Sequence, residues 1–126
     1  MSARGYGGGM NADREAFAKD WIEAWNAHDL ERILSHYAED VVLTSPIAAR
    51  RLSDPRGTVR GKAALRDYFA QGLAARPDLR FTLRRAHHGV GSLCLAYETG
   101  DGRHAAELME FNGAGDVSRV VATYAT

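Results

Sequence analysis

Two carboxylates and one serine stand where they could do chemistry on a small molecule. Glu107 lies in the run His104–Phe111, where Ala105, Met109 and Phe111 recur at every second position around it. A carboxyl on that apolar strand face must be protonated or paired. Protonated, it could donate to a carbonyl oxygen and stabilise charge developing there. Alternation alone leaves a second solution, with Leu108 inward instead, because a slip of one residue exchanges the two faces of a strand. Asp40, in Tyr37-Ala38-Glu39-Asp40, is the other carboxylate. Two roles stay open for it, a proton-transfer group or a short side chain that bonds backbone N–H groups at a helix-to-strand turn. Ser45 precedes Pro46 without the glycine frame of a nucleophile elbow, and no Ser-His-Asp order accompanies it. A hydrolase triad is not expected.

His28, His36, His87, His88 and His104 include no pair with the HExxH spacing, and Cys94 is the only cysteine. No metal site and no cofactor are expected. Gly5, Gly7, Gly8 and Gly9 follow no strand and precede no Lys-Ser/Thr, so they do not make a phosphate loop. Arg50, Arg51, Arg56 and Arg60 crowd the segment 47–60. They could grip an anionic ligand or simply be solvated, and the Pro and Gly content predicts a loop there.

The elements that must position these residues follow from periodicity. Phe17, Trp21, Ala24, Trp25 and His28 share one helical face, and two Trp residues on it demand burial. Asn26–His28 breaks the pattern, Asp29 stands as an N-cap, and Leu30, Ile33, Leu34 and Tyr37 predict a second short helix. Val41–Thr44 reads as a strand stopped at Ser45-Pro46. Leu65, Phe69, Gly72 and Leu73 predict a third helix over 61–75, ended by Pro77. From Leu79 the period drops to two, and glycine turns at 100–102 and 113–115 divide four strands into an antiparallel meander. The fold class is α+β, with helices first and most of the sheet after.

The 126 residues suffice for one domain with a proper core. We place a loose arm over 1–11, rich in glycine, and a single domain over 12–126. Sixteen Lys+Arg balance sixteen Asp+Glu, so no overall field draws in nucleic acid or an anionic membrane. No apolar run approaches the ~20 residues that span a bilayer, and the N-terminus lacks a signal segment. A cytoplasmic protein with no nucleic-acid or membrane partner is expected.

The segments WIEAWNAHDLERILSHYAEDVVLTSP, GKAALRDYF and MEFNGAGDVSRVVATY resemble the NTF2-like superfamily in its SnoaL-like and ketosteroid-isomerase-like branch. The resemblance runs from about Ala12 onward. It implies an NTF2-like (cystatin-like) cone, in which three N-terminal helices pack on a curved, mainly antiparallel sheet with an apolar pocket at the open end. It also selects Glu107 over Leu108 as the inward residue, since steroid-isomerase-like members carry a protonated Asp there. The base position of those members is matched by Ser45, and the hydroxyl of a serine is too weak a base to replace a carboxylate. Trp21 and Phe69 fall where those members place tyrosines, leaving Tyr37 alone of that network and implying a drier pocket. A lining of Trp21, Trp25, Tyr37, Ser45, Phe69, Glu107, Met109 and Val120 is expected around an unknown small apolar ligand. Homodimers through the outer sheet face are frequent in the superfamily, and Cys94, Ala96 and Leu108 would supply that face here. The function implied is a small-molecule-binding domain with one acid in an apolar pocket. The alternative is an isomerase, cyclase or dehydratase acting through Glu107, with Asp40 as a further proton acceptor, on a small apolar or polycyclic carbonyl compound.

Overall fold

In the computed structural model, which describes residues 9–125, the opening helix α1 (Gly9–Asn26) buries the aromatic face that its spacing predicts. Trp21, Ala24 and Trp25 lie on that face, and all three are buried. The helix begins at Gly9, and the remainder of the expected arm lies outside the described residues. At its far end the chain turns through His28, whose φ is 55°. The Asn26 amide then clasps the backbone of Phe81, donating to its carbonyl at 2.9 Å and accepting its N–H at 2.6 Å. Asp29 caps α2 (Leu30–Leu34), its carboxylate accepting the Arg32 N–H at 3.2 Å.

Tyr37, expected in the second helix, opens the strand β1 (Tyr37–Thr44) instead. The helical spacing of Leu30, Ile33 and Leu34 does extend to it, but α2 is a single turn, and Tyr37 pairs with Val117 across the sheet. The segment expected as a loop after Ser45 contains two further elements, α3 (Pro46–Arg51) and β2 (Thr58–Arg60). Pro46 occupies the first helical turn, where its missing N–H costs nothing. Gly57 closes this excursion by accepting the Ser45 N–H at 2.9 Å. Its φ is +59°, and a Cβ there would meet the Ser45 carbonyl oxygen at 2.5 Å, so glycine is required. The long helix α4 (Lys62–Ala75) follows, burying Leu65 and Phe69.

Four strands complete the chain: β3 (Phe81–His88), β4 (Ser92–Thr99), β5 (His104–Phe111) and β6 (Val117–Tyr124). The sheet order is β2-β1-β6-β5-β4-β3, antiparallel throughout except where β1 runs parallel to β6. The fold is thus the expected α+β one, helices against a curved, mostly antiparallel sheet, with the short α3 added. Leu93, Leu95 and Tyr97 of β4, Ala105, Glu107 and Met109 of β5, and Val117, Val120 and Ala122 of β6 are all buried. This fixes the register of β5, since Glu107 is 7% exposed and Leu108 38%.

Candidate functional site

Glu107 is held on β5 between Leu95 of β4 and Ala122 of β6, its partners in register on either side. Neither neighbour can hydrogen-bond a carboxylate through its side chain. Tyr97, one pair further along β4 on the same face, supplies the contact: its hydroxyl donates to Glu107 Oε2. Burial pushes the carboxyl up from its ordinary 4.5 to about 7, against the lowering effect of the Tyr97 hydrogen bond. Burial and the neighbouring Glu107 charge in turn drive the Tyr97 hydroxyl well above the usual tyrosine range.

The acid sits at the inner end of a cavity of about 390 Å³ between the sheet and helices α3 and α4. This lies within the range that holds small organic ligands. Trp25, Phe69 and Phe81 form its aromatic wall, with Trp25 and Phe69 packed edge to face at 4.9 Å. Tyr68, Tyr97 and Tyr124 contribute hydroxyls from α4, β4 and β6. Burial raises the pKa of both Tyr68 and Tyr124, and side-chain hydrogen bonding with Ser45 offsets part of the rise in each. A drier pocket with Tyr37 as its one tyrosine was expected; the three hydroxyls brought in by other elements make it more polar.

Ser45 lines this cavity, 3% exposed, and its oxygen also accepts the Ile47 N–H at 3.1 Å as the N-cap of α3. It is an anchoring hydroxyl with no base beside it. Trp25, Phe69 and Glu107 complete the group of expected residues that the cavity brings together. Trp21, Tyr37, Met109 and Val120 are buried in the core and do not line it. Trp21 Nε1–H donates to the Tyr37 hydroxyl at 2.9 Å, which satisfies that pair without any ligand. Trp25 Nε1–H, by contrast, is buried with no acceptor among the described residues. Asp40 is a correction on both its readings. It is exposed within β1 and lies outside the cavity, and no hydrogen bond of its side chain helps to form a turn. The strand simply begins before it, and its side chain faces water.

Tyr68, Tyr97 and Tyr124 were missed as site residues. The alternation of Leu93, Leu95 and Tyr97 does place Tyr97 on the inner face of β4, which is the one signal available for it. At the mouth stand Arg50, Arg51, Arg76 and Arg103 with a single acid, Asp101. Among the described residues no three His, Cys, Asp or Glu side chains gather to hold a metal ion.

Residues 18–126 match the SnoaL-like domain family. A solved SnoaL-like protein of unknown function from Burkholderia thailandensis E264 is 38% identical, with a TM-score of 0.86 over 89% of this chain and 93% of that one. A protein of cystatin-like fold from Methylobium petroleophilum PM1 is 16% identical, with a TM-score of 0.74 over 91% of this chain and 77% of that one. The epoxide hydrolase/cyclase-like enzyme SalBIII, with a role in pyran ring formation in the polyether salinomycin, is 14% identical, with a TM-score of 0.73 over 92% and 93%. The last two likenesses establish the fold. No curated protein matches the chain.

Proposed function

The chain belongs to the SnoaL-like domain family, and on that premise we propose that its cavity binds a small, largely apolar carbonyl compound whose oxygen meets Glu107. The observation that carries this reading is a buried carboxyl at the inner end of a cavity, with one hydroxyl as its partner. An acid that titrates at about 7 is present in both forms near neutrality. It can donate to a carbonyl oxygen, and it can take a proton and return it within one turnover. With Ser45 committed to capping α3 and Asp101 held at the mouth by Arg76, no second base stands beside Glu107 among the described residues. Isomerisation, cyclisation or dehydration here would therefore run through Glu107 alone, with the tyrosine hydroxyls as orienting donors. Proton transfer to and from carbon would be slow by that route. We accordingly place binding first and catalysis second.

The same proposal includes a homodimer through the outer sheet face. Cys94, Leu108 and Val121 lie side by side there across β4, β5 and β6, with Leu108 38% exposed. Cytoplasmic location belongs to it too, resting on a single cysteine that can form no internal disulfide.

The test is a carbon-detected NMR titration of Glu107 paired with binding of 2-acetylnaphthalene, a neutral apolar ketone. Glu107 should titrate near neutrality. Ketone affinity should fall as the acid ionises, and the pH dependence should vanish in Glu107→Gln. Titration in the ordinary glutamate range, with affinity insensitive to both pH and the substitution, would sink the reading.

A further inference from the structure

The chain has no net charge, yet the mouth of its cavity is lopsided. Four arginines line it against one exposed acid. Arg76 takes that acid, Asp101, at 3.5 Å and also reaches Asp78 at 3.5 Å. The guanidinium groups of Arg50, Arg51 and Arg103 form no ion pair among the described residues, although the Arg103 backbone N–H donates to Asp101 at 3.2 Å and its charge helps to hold that carboxyl low. Elsewhere Arg32, Arg56, Arg66 and Arg84 each sit against Asp or Glu, while Arg60, Arg80, Arg85 and Arg119 form no ion pair among the described residues, so it is the gathering of these groups at one opening that sets the mouth apart. Local structure explains part of the placement. Arg50 and Arg51 occupy the last turn of α3, where a cation complements the carbonyl ends, though that does not require both to line the opening. Two of these guanidinium groups are also held near rings of the cavity wall, Arg51 5.8 Å from Tyr68 and Arg103 5.8 Å from Tyr124. Rings that orient the arginines limit the freedom they lose on meeting an anion.

The two ends of the cavity differ in charge. Burial and the Tyr97 hydrogen bond are what act on Glu107, and none of the four arginines does. Tyr68 lies between, feeling Arg50 and Arg51 from one side and Glu107 from the other. A ligand that fills the space would thus meet a neutral or weakly acidic hydrogen-bond donor at depth and a cationic fork at the surface.

We infer that the molecule bound here carries a carboxylate or similar oxyanion group at its outer end, gripped by Arg50, Arg51 and Arg103, and a neutral oxygen at its buried end. This rests on the proposed ligand-binding role and narrows its class from apolar carbonyl compounds to apolar acids. The guanidinium fork matches a carboxylate with two parallel hydrogen bonds, and the flat aromatic wall suits a planar body between the two polar ends.

The test compares 6-hydroxy-2-naphthoic acid with its methyl ester by calorimetry at pH 6, using the full chain. The acid should bind about tenfold tighter than the ester, a preference that shrinks as salt is raised. Arg50→Gln with Arg51→Gln should remove most of that preference while the ester keeps its affinity. Arg119→Gln, which removes an exposed charge outside the cavity, should leave the preference intact. Equal binding of acid and ester, with the affinity of both falling as Glu107 ionises and that fall absent in Glu107→Gln, would overturn the anion inference and leave the ligand-binding reading standing. Binding of neither probe would overturn both. A preference untouched by the arginine variants would also count against the inference.

Discussion

Trp21 and Trp25 stand one turn apart on the same face of α1, and they end in different kinds of interior. Trp21 is 1% exposed, stacks near Phe81 at 5.9 Å, and gives its N–H to Tyr37. Around it lie the rings of Trp25, Phe81 and Tyr97. Trp25 is 7% exposed and packs on Phe69 and Phe81, but its N–H has no acceptor among the described residues and it lines the cavity. The closed end is satisfied by its own groups. The open end, by contrast, gathers polar groups that a ligand could meet: the Glu107 carboxyl and the hydroxyls of Ser45, Tyr68 and Tyr124. A fold of this size can leave polar groups short of partners at one end because the other end supplies the packing.

The largest way to sharpen this contrast is Glu107→Gln. The acid holds its proton more tightly folded than unfolded, with a folded value of about 7 against an ordinary 4.5. Its favourable contribution is complete below the unfolded value and is lost as pH rises through the folded one. Between those limits wild-type stability should fall by about 3 kcal/mol. Gln resembles the protonated form, so the variant should match wild type near pH 4 and exceed it by about that amount at pH 8. Denaturant melts at the two pH values check this, and equal stability differences at both would break it. A companion substitution, Tyr97→Phe, removes the hydrogen bond that lowers the carboxyl. It should move the Glu107 titration upward, as followed by NMR.

Replacing each tryptophan with phenylalanine compares the two ends directly. Both changes lose similar ring area, so the difference isolates the N–H. Trp21→Phe strands the Tyr37 hydroxyl and should cost roughly 1–3 kcal/mol more than Trp25→Phe, which removes a donor that had no partner. Equal losses in thermal unfolding would mean that the Trp25 N–H is satisfied in solution. The smallest effect belongs to Asp40→Asn, which should stay within about 0.5 kcal/mol and leave the Glu107 titration where it was. A shift in that titration would return Asp40 to the site.

Much of this architecture is legible along the chain because its causes are local. The aromatic face of α1, the Asp29 cap and the two-residue period of β4 and β5 are each written within a dozen residues and appear where periodicity puts them. α3 is too short at six residues to show a period, so Ser45-Pro46 reads as a stop although the same pair, as cap and first-turn proline, also starts a helix. Alternation alone left the face of Glu107 undecided, because a period of two admits either phase, and resemblance was needed to choose it. The cavity lies further out of reach. Tyr68, Tyr97 and Tyr124 come from a helix and two non-adjacent strands, and no spacing in the sequence records that their hydroxyls converge near Ser45 and Glu107. The same holds for Arg51 and Arg103, far apart in the chain and brought to one opening by the fold. Residue type and period settled what each element buries. Which buried groups would meet, and which of them would be left without a partner, depended on strand register and sheet order, since only these determine distances between residues far apart in the chain.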